Sequence, residues 1–235
     1  MTEPLHIGAV VLGDRPCVVA AGGEHEVEAL VAAAGADVVE LRADLFDTPS
    51  VAGVTRALTR LREGRRPILL TARAASEGGR AMPEALRRDI YDAGLALADA
   101  VDVEIASMAL ASAIVPAARR AGRTVILSTH DVQTTPARTD LLARVARAFD
   151  AGAHVAKVAT HATSLAHLRI LIDVTRGLAP QPVATLAMGP MGPLSRLVLP
   201  AAGSLLTFAS VGTPTAPGQM PLGELGPLMT RLFPA

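Results

Sequence analysis

One pattern recurs along the chain and limits what it can fold into. Eight short apolar runs occur in 235 residues, and a segment with helical spacing follows all but the seventh. The runs lie at residues 17–20, 38–41, 67–71, 101–105, 124–128, around 157, 183–188 and 205–209. A strand, a crossover helix and a parallel strand recur at about 30 residues in βαβ units. Parallel strands are covered on both faces and read as continuous apolar runs. Half of the residues are hydrophobic, yet only Tyr91 and four phenylalanines are aromatic, so the core is built from Ala, Val, Leu and Ile. No linker or composition shift divides the units. The expectation is an α/β fold, a (β/α)8 TIM barrel, in one domain over residues 1–235; such barrels usually take about 200 to 250 residues. A doubly wound sheet normally carries G-x-G-x-x-G after its first strand. Ala21-Gly22-Gly23 lacks that spacing.

Local signals mark the boundaries. Residues 5–12 suit a small strand or hairpin, followed by a turn at 13–16. Helices are expected at 24–34 ending at Gly35, from Asp47-Thr48-Pro49 to about 62, and at 83–98. Further helices are expected at 107–121 with Pro116 inside, from beyond Thr135-Pro136 to 151–152, at 164–177 and at 221–232.

Charge and cysteine usage exclude several functions. Acidic and basic residues number 22 each, for a formal net charge of zero. That speaks against nucleic acid or an anionic membrane as a partner. Cys17 is alone, so there is no disulfide framework or cysteine metal cluster. No signal segment or membrane-spanning run is visible, and a soluble, cytoplasmic protein is expected.

The chemistry centres on Lys157, the only lysine in the chain, in the apolar stretch His154-Val-Ala-Lys-Val-Ala-Thr160. Every other long basic side chain is arginine, which cannot lose its proton near neutral pH. A neutral lysine amine can attack a carbonyl and form a Schiff base. In a barrel the active site lies at the C-terminal ends of the strands, and polar residues gather there. Glu40 and Arg42 are two apart and share a face. Arg73 ends the third strand, with Glu77 in the loop after it. Asp102 and Glu104 share a face, suited to support beneath a site. His130 ends the strand next to that of Lys157 and suits general acid–base work. His161 is placed in the following loop and His154 at the opposite end of the barrel, and neither has metal-ligand spacing. After the seventh strand, Gly189 and Gly192 let backbone approach a ligand, and Arg196 can grip a carboxylate. Thr215 and Gln219 offer a hydroxyl and an amide. Together these imply imine chemistry on a small anionic carbonyl compound.

Six short motifs occur in order: Glu40-Leu-Arg-Ala-Asp44; Thr71-Ala-Arg73 with Glu77-Gly-Gly79; Ser128-Thr-His-Asp131 with Thr135-Pro136; Lys157-Val-Ala159; Met188 through Arg196; and Ala216-Pro-Gly-Gln219. On these the chain resembles type I 3-dehydroquinate dehydratase, the Schiff-base dehydratase of the shikimate pathway. The resemblance implies dehydration of 3-dehydroquinate to 3-dehydroshikimate, without metal or other cofactor. It implies that Lys157 forms the imine, that His130 takes the adjacent proton and returns it to the departing hydroxyl, and that Glu77 tunes His130. It implies that Arg196 holds the substrate carboxylate, that Glu40, Arg42, Arg73 and Gln219 bind ring hydroxyls, and that the protein is a homodimer. Three departures stand out. Thr215 replaces the usual serine, Val132 replaces a phenylalanine after His-Asp, and Ala21 stands where some members place a serine near the substrate. Two other readings share the residue list: a class I aldolase-type lyase using Lys157, and a catalytically silent barrel that binds a carboxylate.

Overall fold

The apolar runs form strands because each is buried on both faces, by helices outside and by the other strands' side chains inside. The computed structural model describes residues 4–234. A short antiparallel hairpin, β1 (His6–Ile7) and β2 (Val10–Val11), comes first. The eight expected strands follow as β3 (Cys17–Gly22), β4 (Val38–Arg42), β5 (Ile68–Thr71), β6 (Ala100–Glu104), β7 (Thr124–Asp131), β8 (Val155–His161), β9 (Val183–Met188) and β10 (Leu206–Ser210). Each pairs in parallel with its successor from β3 to β9, and β10 pairs with β3. A further short strand, β11 (Met220–Pro221), pairs with the end of β10. The helices are α1 (Val27–Val31), α2 (Val51–Arg62), α3 (Glu84–Gly94), α4 (Met108–Arg120), α5 (Arg138–Asp150), α6 (Leu165–Leu178), α7 (Gly192–Ala201) and α8 (Leu222–Leu232). The result is the expected (β/α)8 barrel.

Strand register sorts the core into two layers. One set of residues, including Val39, Leu41, Leu70 and Val101, packs outward against helix residues such as Leu58, Leu61, Ile90 and Ile114. The alternate set, Val19, Val38, Leu69, Ala100, Ile126, Val155, Ala184, Leu206 and Phe208, fills the barrel interior. The hairpin closes the floor: Ile7 and Leu12 join that inner cluster, and the Thr124 hydroxyl donates to His6 O. Cys17 lies in the same apolar floor, where burial pushes its thiol up to about 11. It is a packing residue.

Several boundaries differ from expectation. The first helix is a 3-10 turn (Glu24–Glu26) leading into α1, which stops at Val31. Ser50, rather than Asp47 or Thr48, caps α2, its Oγ accepting from Gly53 N–H at 3.1 Å. A hydroxyl in extended backbone just ahead of the first turn is the ordinary capping geometry. The third helix ends at Gly94, and α4 runs through Pro116. His161 belongs to β8 rather than to a loop, because the β8–β9 ladder continues to the His161–Met188 pair. Arg196 sits on α7, a helix that the glycine- and proline-rich stretch around it concealed.

The single tyrosine repairs a gap in the wall. The β5–β6 ladder ends at the Thr71–Asp102 pair. Just beyond it, the Tyr91 hydroxyl accepts from Ala72 N–H (2.9 Å) and donates to Asp102 O (2.6 Å). Replacing Tyr91 with Phe leaves two buried backbone groups unpaired and is expected to lower stability by about 2–4 kcal/mol. Urea unfolding checks this; an unchanged midpoint would show that water replaces the hydroxyl.

Candidate active site

In the lower barrel the inward side chains are aliphatic. In the upper half they are Glu40 and Arg42 from β4, Arg73 just past β5, Asp102 and Glu104 from β6, Ser128 and His130 from β7, and Lys157 from β8. All but the partly exposed His130 are buried. They surround the base of a cavity of about 260 Å³. Of the ten residues anticipated from sequence, nine line it: Lys157, His130, Glu77, Glu40, Arg42, Arg73, Arg196, Thr215 and Gln219. Ala159, Leu186, Met188 and Phe208 supply an apolar wall. Ala21 is fully buried in β3 between Glu40 and Ser210 and is not part of the lining.

Lys157 is held from two sides. Its Nζ donates to Asp102 Oδ2 at 2.8 Å and lies 4.1 Å from the centroid of the Phe208 ring. A desolvated contact of the second kind is worth about 2 kcal/mol. Asp102 is also 3.0 Å from Arg73 Nη2, and its Oδ1 accepts from the Ser128 hydroxyl at 2.6 Å. Ser128 in turn accepts from Arg73 Nη1 at 2.6 Å. Burial opposes the Asp102 charge, but Arg73 and Lys157 outweigh it and hold this carboxyl well below the usual range. Glu104 completes the base, accepting from Arg73 Nη1 (3.1 Å) and Ala74 N–H (2.7 Å) and pairing with Arg87.

His130 is oriented by Glu77. One carboxylate oxygen, Glu77 Oε2, accepts the His130 backbone N–H (2.8 Å) and lies 2.9 Å from Nδ1. With that oxygen already an acceptor, Nδ1–H donates to it, which leaves Nε2 unprotonated. Burial, then Arg73 and Lys157, push His130 well below its ordinary 6.5. Burial also pushes Glu77 up to about 7. The loop that delivers Glu77 needs both glycines after it. Gly78 has φ +88, and a Cβ on Gly79 would stand 2.2 Å from Arg73 O. Val132 lines the cavity beside Gly78.

Arg196 is 2 % exposed, and its Nε and Nη1 are the only buried side-chain atoms without a partner among the described residues. Burial alone draws it down to about 10. A buried cation with no counter-ion is a receptor for an anionic ligand group. Across the cavity, Arg42 pairs with Asp44 through Nε (2.9 Å) and Nη2 (2.7 Å), not with Glu40. Glu40 instead accepts from Thr71 at 2.7 Å.

These features match known proteins along nearly the whole chain. Residues 17–232 match the family model described as Type I 3-dehydroquinase. The chain is 35% identical over 238 residues to the 3-dehydroquinate dehydratase of Methanosarcina acetivorans, covering 96% of this chain and 98% of that protein. It is 37% identical to the same-named protein of Lactiplantibacillus plantarum, covering 86% and 84%. The chain belongs to the type I 3-dehydroquinase family. Among solved structures, a type I 3-dehydroquinate dehydratase from Clostridium difficile with covalently modified comenic acid superposes with a TM-score of 0.88, at 26% identity over 99% of this chain and 98% of that one. The Geobacillus kaustophilus 3-dehydroquinate dehydratase gives 0.86, at 28% identity over 98% and 96%.

Within this candidate site, two polar residues escaped the sequence reading. Asp44 fixes Arg42 and also accepts from Arg73 N–H at 3.0 Å. The Ser128 hydroxyl links Arg73 to Asp102. Each lies inside a motif that was visible, but its role depends on which strands are neighbours. Replacing Asp102 with Ala takes from Lys157 its carboxylate partner and leaves Arg73 with Glu104 alone. The expected loss is about 3–5 kcal/mol of stability, with a smaller loss for Asp102→Asn, whose amide oxygen still accepts from Ser128. Denaturant unfolding of both variants tests the ordering.

Proposed function

We propose that the chain dehydrates 3-dehydroquinate to 3-dehydroshikimate through an imine on Lys157. The observation that carries this reading is the juxtaposition of one reactive amine, one neighbouring unprotonated imidazole and one unpaired buried guanidinium around a single cavity. Arg196 takes the substrate carboxylate and fixes the ring. His130 Nε2 takes one proton from Lys157 Nζ, which then adds to the ketone carbon. The carbonyl oxygen picks up a second proton from Nζ and the one returned by His130 and leaves as water, so the imine keeps a proton and the imidazole is again unprotonated. The imine then acts as an electron sink for the neighbouring carbon. His130 Nε2 removes a proton from that carbon. The hydroxyl on the next carbon departs with that proton as water, which forms the ring double bond. A water molecule hydrolyses the imine, releasing product and restoring the amine.

Asp102 holds the amine in place, and Glu77 holds the His130 tautomer that carries out the proton transfer. Glu40, Arg42, Arg73, Thr215 and Gln219 present hydrogen-bonding groups to the ring hydroxyls. The active protein is proposed to be a homodimer that acts in the cytoplasm. No helix among the described residues is long and apolar enough to cross a membrane.

Borohydride reduction in the presence of 3-dehydroquinate is expected to leave a stable adduct on the peptide containing Lys157, seen by mass spectrometry. Lys157→Ala should lose both adduct and turnover. His130→Ala should retain some adduct but slow turnover by about 10²–10⁴-fold. Product forming without any adduct would rule out the imine route.

The pH profile offers a separate test. As pH falls through the Glu77 value of about 7, the carboxyl gains a proton and stops accepting from Nδ1–H. The imidazole then no longer has its tautomer fixed. kcat/KM should therefore drop on the acid side, by about tenfold per pH unit below the midpoint. Glu77→Gln should remove that acid limb, since its side chain does not titrate. If the limb persists in the variant, another group governs it.

A further inference from the structure

Among the described residues, β9 and β10 are neighbouring barrel strands that do not pair as a ladder. At the lower end a backbone bond from Leu205 N–H to Val183 O (2.9 Å) closes the wall. There the Ser204 hydroxyl also accepts from Thr185 N–H (2.9 Å). At the upper end the gap is filled by residues 217–221. β11 pairs with β10 through Ala209–Met220 and Ser210–Pro221, and Pro217 O accepts from Gly189 N–H at 3.0 Å.

Three glycines make this threading possible. A Cβ on Gly218 would stand 2.2 Å from Gly189 O, and one on Gly192 would stand 2.5 Å from Gly218 O. Gly218 and Gly189 also have φ values of +75 and +74. The His161 ring covers Gly189, so close that a Cβ there would meet its Cε1 at 2.5 Å. The glycines after the seventh strand thus admit the chain's own backbone, where the sequence suggested a ligand. The threaded segment is flanked by cavity residues. Gln219 Oε1 accepts from the Thr215 backbone N–H (2.8 Å) and hydroxyl (3.1 Å). That leaves the Gln219 NH₂ group as a donor toward the cavity it lines. Arg42 Nη1 donates to Thr215 O at 3.4 Å.

We propose that Gly189, Gly192 and Gly218 form a backbone latch, and that Gly192 is a positioning residue whose lack of a side chain sets how deeply Gln219 enters the cavity. A methyl at 192 pushes the Gly218 carbonyl away and carries Gln219 and Thr215 outward with it. The chemistry at Lys157 and His130 lies on other strands and is left alone. The effect therefore falls on binding.

Hydrogen exchange in the ligand-free protein tests the latch, and kinetics test the positioning; only the kinetics rest on the dehydratase reading. In the native protein the amides of Gly189, which donates to Pro217 O, and of Met220, which pairs with β10, should exchange about as slowly as those of β10. In Gly192→Ala they should exchange faster. On 3-dehydroquinate, Gly192→Ala should raise KM by about 10- to 100-fold with kcat little changed. Gln219→Ala should raise KM alone, yet add little in the Gly192→Ala background. Gly223→Ala on α8, where a Cβ meets nothing within 4 Å, should match the native protein throughout. Fast exchange at Gly189 and Met220 in the native protein overturns the latch without any variant being needed. Native KM in Gly192→Ala, or fully additive effects with Gln219→Ala, overturns the positioning role. A native protein with slow exchange but no turnover would refute the dehydratase reading and leave the latch standing.

Discussion

The Asp102 carboxylate is the contact on which the barrel interior depends. It is fully buried, yet it touches the amine of Lys157, a nitrogen of Arg73 and the hydroxyl of Ser128. Four adjacent strands or strand ends are thereby tied by one side chain. Removing two charges from water is unfavourable unless their geometry and remaining hydrogen bonds are satisfied. Here Ser128 and Glu104 satisfy what Asp102 and Arg73 cannot satisfy between themselves. The lysine is therefore placed by electrostatics from below and by the Phe208 ring beside it, while its nitrogen borders the cavity.

This arrangement divides the barrel along its axis. The lower half is aliphatic and closed by the N-terminal hairpin, and it carries the hydrophobic stabilisation. The upper half is polar, and its ion pairs satisfy one another up to the cavity rim. Arg196 is the exception. Its unpaired guanidinium lowers the stability of the empty protein and is available to a ligand's anionic group. Stability and binding are in tension at that one residue, as expected where a site is preorganised for a charged partner.

Much of this was legible in the sequence. Eight apolar runs at βαβ spacing gave the barrel, and the two-residue period placed Glu40 with Arg42 and Asp102 with Glu104. Adjacent strand ends put His130 beside Lys157. What escaped is non-local. That Ser50 caps α2 is settled by backbone geometry, which a Ser-Val pair does not reveal. α7 was hidden because Gly192, Pro193 and Pro200 read as loop, although proline is tolerated in a helix's first turn. Asp44 and Ser128 were inside recognised motifs, but pairing across strands cannot be read from spacing within one strand. The role of Ala21 as substrate contact came from family likeness alone; it shares the inward face of β3 with Val19, level with Glu40, and does not itself line the cavity.

The seam between β9 and β10 bears on edge-to-edge association between chains. A barrel normally protects itself from edge-to-edge association by having no free strand edge. This wall is complete at the top only because residues 217–221 lie in the gap. Were that stretch cut or drawn out, the upper part of β10 would present unpaired backbone groups, a template for another chain's strand. One short segment thus carries cavity-lining side chains and also guards against self-association. Loop changes made to broaden substrate range would be felt first as aggregation.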